Sequence, residues 1–158
     1  MFRRLLTAAG VAAAVAFVVG GGAFAVASGS GSDGPARTIT VIEKTTSQHH
    51  VDVGRSGFSI GDEFTFNSVF WNVARTRRVG TNHGYCTELT TRLVHCVGTA
   101  RLSGGTLEFA GNVSADQSDF RLAITGGTGT LEGAEGQVTI HNLSADGSIS
   151  RDVIELIG

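Results

Sequence analysis

After the turn signal Gly61-Asp62, the chain alternates without a break. Phe64, Phe66, Ser68 and Phe70 fall on one face, with Glu63, Thr65, Asn67 and Val69 on the other. Successive strand side chains point to opposite sides, so strict period-two alternation marks a β-strand with one buried face. From Arg37 onward the same pattern recurs in shorter runs, and no convincing amphipathic helix interrupts it. Residues 38–44 read as a first strand, and residues 106–113, 118–125, 136–141 and 149–157 as later ones. Two more flank the cysteines, and Ser103-Gly104-Gly105 is a hairpin turn between neighbours. The expected fold class is therefore all-β, with about eight antiparallel strands. Eight such strands close into a small up-and-down barrel, which removes exposed sheet edges. A two-sheet sandwich fits the same pattern.

The 23 glycines belong to this picture. They follow no G-X-Y period and occur with a single proline, which excludes a collagen-like chain. With 16% charged and 41% hydrophobic residues the chain is too apolar to stay disordered. A net charge of −2 provides no basic excess to hold nucleic acid. The segment Gly127-Thr128-Gly129-Thr130-Leu131-Glu132-Gly133 imitates a dinucleotide phosphate loop. That loop needs a βαβ unit and a following helix, whereas the residues after it alternate like strands. We read these glycines as bends or bulges instead.

The N-terminus has the three parts of a signal peptide. Arg3-Arg4 supply the positive start, residues 5–19 are apolar and Ala-rich, and Ala25-Val26-Ala27 offers an A-x-A cleavage site. As a membrane anchor the stretch is interrupted by Gly20-Gly21-Gly22. The expectation is a cleaved leader over residues 1–27, a flexible Ser/Gly linker over 28–36, and one folded domain over 37–158. Such a product is secreted and keeps no stable membrane span. No cysteine follows the cleavage site, which argues against lipid attachment.

Export makes Cys86 and Cys96 a disulfide pair, and neither lies in a C-x-x-C arrangement. A hairpin folded about Thr91 sets Cys86 opposite Cys96, Glu88 opposite Val94 and Tyr85 opposite Val97. Directly opposed Cβ atoms in a non-hydrogen-bonded pair are close enough to bridge. A loop this short contributes about 2–3 kcal/mol when closed.

Three blocks carry a family resemblance. The first is Phe120 to Gly129 followed by Glu132 to Val138; the second is Ile60-Gly61-Asp62 with Phe66 and Phe70-Trp71; the third runs from Val79 to Cys86. In this order they resemble the allene oxide cyclase and dirigent barrel superfamily and span most of residues 38–140. The resemblance implies an eight-stranded barrel whose lumen takes small, largely apolar molecules. It implies chemistry that needs neither metal nor nucleotide cofactor, and assembly as a dimer or trimer. Actinobacterial relatives include barrel cyclases of polyketide biosynthesis and exported proteins.

Allene oxide cyclases line their site with a first-strand glutamate, a second-strand asparagine, a cysteine and a water-holding proline. Glu43 is the acid of the first strand here; Ser68 stands at the asparagine position, with Asn67 beside it on the opposite face; Cys86 stands at the cysteine position. The proline has no counterpart, since Pro35 lies in the linker, which argues against that particular cyclisation. The resemblance makes Glu43 and Ser68 the catalytic candidates, and turns Phe64, Phe66 and Phe70 toward the lumen as ligand-binding residues. Two readings of the phenylalanines stand: a wall around a ligand, or side chains that fill the core. Glu43 likewise is either a desolvated acid in the lumen or a solvated strand residue. By parity Tyr85 and Trp71 face outward. The histidines show no metal-ligand spacing, and no metal site is expected. An open lumen that holds Glu43 would favour a guided cyclisation or isomerisation. A filled one would favour a non-catalytic exported binding or surface-associated barrel.

Overall fold

The computed structural model describes residues 36–114 and 116–157. The proposed leader, and the linker as far as residue 35, lie outside the described residues. Eight strands follow one another: β1 Arg37–Val51, β2 Glu63–Trp71, β3 Arg78–Thr90, β4 Leu93–Leu102, β5 Gly105–Ser114, β6 Asp119–Gly127, β7 Glu135–Asn142 and β8 Ile149–Ile157. Each pairs antiparallel with the next, and β8 returns to β1, so the sheet is a closed barrel in simple up-and-down order. The sandwich alternative is thereby excluded.

Most strands lie where the alternation put them, with one extension. β1 runs seven residues beyond Lys44, through the polar stretch Thr45 to His50. That stretch has no alternation to announce it. It is a strand because a bulge between Thr45 and Ser47 re-registers it against β2, and His50 then pairs with Phe64. Ladder pairing here overrides side-chain pattern.

The cysteine hairpin has the expected register: Cys86 opposes Cys96, Glu88 opposes Val94 and Tyr85 opposes Val97. The disulfide joins Cys86 to Cys96, with Cα atoms 4.0 Å apart.

The glycine-rich segment holds no nucleotide loop. Gly129–Leu131 forms one 3₁₀ turn that folds back on the β4–β5 turn, where Thr130 N–H donates to the Gly104 carbonyl at 2.9 Å. Gly105 lies so close beneath the Thr128 carbonyl that a Cβ would collide with it. This close approach needs the missing side chain. It buries Leu131 in the core at that end of the barrel. The expected bulge is present as well: Glu108 pairs with Gly126 and Phe109 with Ile124, leaving Thr125 unpaired.

Inside, Val41, Phe70, Leu107, Ile124, Ile154 and Leu156 pack with Leu131 as the apolar floor. Leu107 is fully buried. The opposite end carries the β1–β2 loop, tied by Asp62. The Asp62 carboxylate accepts from Val53 N–H at 2.8 Å and from Ser59 N–H at 2.7 Å. These donors, Val53 first, hold the Asp62 carboxyl below its ordinary value.

Candidate functional site

Strand parity turns five phenylalanines inward, yet the lumen is not filled. A cavity of about 190 Å³ remains, lined from Asn142 and Gly147 at the β7–β8 turn down to Leu107 and Ile154. The reason lies in cross-strand pairs. Phe66 opposes Gly84, and Phe109 opposes Gly98. A Cβ on Gly84 would lie 2.6 Å from the Phe66 ring, and one on Gly98 would run into the Phe109 ring. Each ring occupies the place of a side chain its neighbour lacks, so it lies against the wall rather than across the lumen.

Phe64, Phe66 and Phe70 all line this cavity, as do Cys86 and Cys96. The two cysteines form a disulfide, so the cysteine position of the resemblance carries no thiol. Glu43 lines the cavity too, cross-strand from Phe70 and from Ser150. Ser68 shares the inward face of β2 and is buried, but it is not among the lining residues. It pairs with Thr45 on β1 and Asn82 on β3, and its hydroxyl sits 3.5 Å from the Thr45 hydroxyl. Its short side chain leaves room for Asn82 to reach across β2 to Glu43. Ser68 thus shapes the site rather than facing its contents.

Asn82, Ser150 and Asp152 add polar groups beside Glu43, and Thr45 and Asn142 line the cavity as well. Asn82 donates from Nδ2 to Glu43 Oε1 at 2.9 Å. Asp152 is 3% exposed and accepts from Ser150 Oγ at 2.7 Å. Asp152 and Glu43 are inward-facing neighbours across the β8–β1 ladder, and burial first, then the neighbouring Glu43, pushes the Asp152 carboxyl well above its ordinary value. The Ser150 hydroxyl opposes this without cancelling it. Asp152 is therefore biased toward its protonated form at the side of an apolar chamber, with the Glu43 carboxyl beside it.

A signal for Asp152 existed in the sequence. In β8, Ser150, Asp152, Ile154 and Leu156 share the inward face, so a carboxyl interrupts an otherwise apolar stripe. Asn82 has the inward parity of Cys86 and was equally visible. What pattern did not supply was closure: only a barrel joins β8 to β1 and brings Asp152 to Glu43. Outside the wall, Tyr85 is half exposed and Trp71 pairs with Ile42 on the outer face, as parity required.

No family profile matches the chain, and no curated protein matches it in sequence. Solved structures do. A pyocyanin demethylase is 25% identical, with a TM-score of 0.66 over 76% of this chain and 99% of its own. A Diels-Alderase from Streptomyces koyangensis is 18% identical, with a TM-score of 0.62 over 78% of this chain and 69% of its own. A pterocarpan synthase dirigent protein is 17% identical, with a TM-score of 0.61 over 77% and 85%. The fold is that of the allene oxide cyclase and dirigent barrel superfamily.

Proposed function

We propose that this barrel binds a small, largely apolar molecule in its lumen and steers its cyclisation or isomerisation, with Asp152 and Glu43 as proton donor and acceptor. One observation carries the reading: a buried Asp152 carboxyl, raised above its ordinary value, beside half-buried Glu43 in the wall of an open, phenylalanine-lined chamber. An apolar chamber excludes water and holds a substrate in a reactive conformation, which lowers the entropic part of the barrier. Asp152, whose carboxyl is held well above its ordinary value, gives its proton to one atom of the substrate. Glu43 takes a proton from another atom, and the pair ends as it began, with one proton between two carboxyls. An isomerisation is balanced by that exchange and needs no oxidant or reductant. Solved barrels of this fold include a Diels-Alderase and a dirigent protein, which supports a role in guiding ring formation. The Cys86–Cys96 disulfide and the leader-like residues 1–27 support action outside the cell.

The test is native mass spectrometry of the protein exported by its own host, followed by nuclear magnetic resonance with naphthalene as a neutral probe. A co-purifying small molecule, or naphthalene-induced shifts at Phe64, Phe66 and Phe70, supports the reading. Absence of both sinks it. Once a substrate is in hand, Asp152→Asn and Glu43→Gln should each lower turnover by 10²-fold or more, the typical share of a general acid or base.

A further inference from the structure

The lumen has a charge imbalance that its own residues leave unanswered. Among the described residues lining it, Glu43 and Asp152 are acidic, and none is Lys, Arg or His. Buried charges in proteins are paired as a rule, because an isolated one loses its hydration with nothing in return. Burial biases Asp152 toward its neutral form, and the Glu43 carboxyl beside it has no cationic partner among the described lining residues. Asn82 repeats the deficit in hydrogen bonding. Its Nδ2 is used on Glu43, whereas its buried Oδ1 has no partner among the described residues. The amide orientation follows from chemistry, since the Glu43 carboxylate accepts and only the NH₂ end can donate to it. The site therefore offers a negative charge and a free acceptor, both awaiting a donor with positive charge.

The apolar part of the wall suits the same kind of guest. Phe64, Phe66, Phe70, Phe109 and Phe120 line the chamber, and aromatic rings attract cations as well as apolar surface. The volume of about 190 Å³ limits the size. A cavity of ~150 Å³ holds one benzene ring, so this one takes a single ring or a small fused pair.

We propose that the natural ligand of this lumen is a small aromatic or alicyclic ammonium-type monocation, whose charge answers the Glu43–Asp152 pair and whose N–H donates to Asn82 Oδ1. The inference rests on the reading of the lumen as a small-molecule site and goes beyond it by fixing the chemistry of the guest.

Isothermal titration of the oxidised protein with a matched set of probes tests it. The probes are 1-naphthylmethylamine, its neutral counterpart 1-naphthylmethanol, the anion 1-naphthoate, and the quaternary N,N,N-trimethyl derivative of the amine. The amine is expected to bind at least 10-fold more tightly than the alcohol, with naphthoate weakest. The quaternary probe, which keeps the charge but has no N–H, should fall between amine and alcohol. In Asp152→Asn and Glu43→Gln proteins that melt cooperatively, the amine should lose its advantage while the alcohol binds as before. Alcohol binding as tightly as amine in the wild-type protein overturns the cation proposal and leaves the apolar lumen standing. A quaternary probe equal to the amine overturns the role given to Asn82 Oδ1. Failure of all four probes to bind overturns the lumen reading and this proposal with it.

Discussion

Replacing Asp152 by Asn should make the protein more stable at neutral and alkaline pH, although it alters one of the most buried polar residues of the fold. Asn has nearly the same shape. Its Oδ1 can accept from Ser150 Oγ as the carboxyl does at 2.7 Å, and its NH₂ can donate to the neighbouring Glu43. What is lost is a carboxyl that must stay protonated or be charged out of water. The sign follows from the raised value of Asp152 in the folded state. Below the ordinary aspartate range both folded and unfolded chains hold the proton. As the pH rises through that range the unfolded chain ionises while folded Asp152 does not. Wild-type stability then falls by about 1.4 kcal/mol per pH unit until folded Asp152 itself ionises. The Asn variant lacks this slope. The expected gain at pH 8 is about 1–3 kcal/mol, the usual cost of a desolvated polar group left poorly compensated. For a domain of this size that raises Tm by roughly 4–12 °C. Thermal melts followed by circular dichroism at pH 4, 6 and 8 measure it. A variant no more stable than wild type at pH 8, or a difference in Tm that is the same at all three pH values, would refute the reasoning.

Further outcomes follow from the same geometry. Gly98→Ala places a Cβ in the Phe109 ring. Displacing the ring should cost about 1–3 kcal/mol and weaken probe binding, which denaturant melts and titration can read in one preparation. Leu107→Ala removes a fully buried side chain from the floor; urea unfolding should register a loss of about 2–5 kcal/mol. Reduction of Cys86–Cys96 opens a loop with a sequence separation of 10 and should lower stability by about 2–3 kcal/mol; thiol labelling before reduction should find no free cysteine. The Asp62 tie has the opposite pH sign to Asp152, because its carboxyl is lowered in the folded state. Docking of the β1–β2 loop is complete above the ordinary aspartate range and is lost as the pH falls through the lowered value. Amide exchange of Val53 and Ser59 should rise there while exchange in β4 and β5 does not.

Strand number, the all-β class and the cysteine register were legible because each rests on local information: period-two alternation, short turns and one hairpin. The far half of β1 was not, since Thr45 to His50 carries no alternation and its strand state comes from ladder pairing across a bulge. Half of the site was legible. Glu43 and the phenylalanines of β2 follow from inward parity, and they do line the lumen. Ser68 has that parity too, yet it is buried and does not line the lumen. Asp152 is more than a hundred residues from Glu43 in the chain, and only closure of β8 on β1 makes them neighbours. Whether the lumen is open was not legible either. It depends on which residue opposes each phenylalanine, and the Phe66–Gly84 and Phe109–Gly98 pairs emerge only with the register.

The most direct measurement is carboxyl ¹³C nuclear magnetic resonance of the aspartates and glutamates, titrated with pH and then with 1-naphthylmethylamine. Asp152 should keep its proton well above the ordinary aspartate range while Asp62 titrates below it, and the Asp152 and Glu43 resonances should move as the probe saturates. An Asp152 that titrates like a solvated aspartate, or a carboxyl pair indifferent to a saturating probe, would contradict the account.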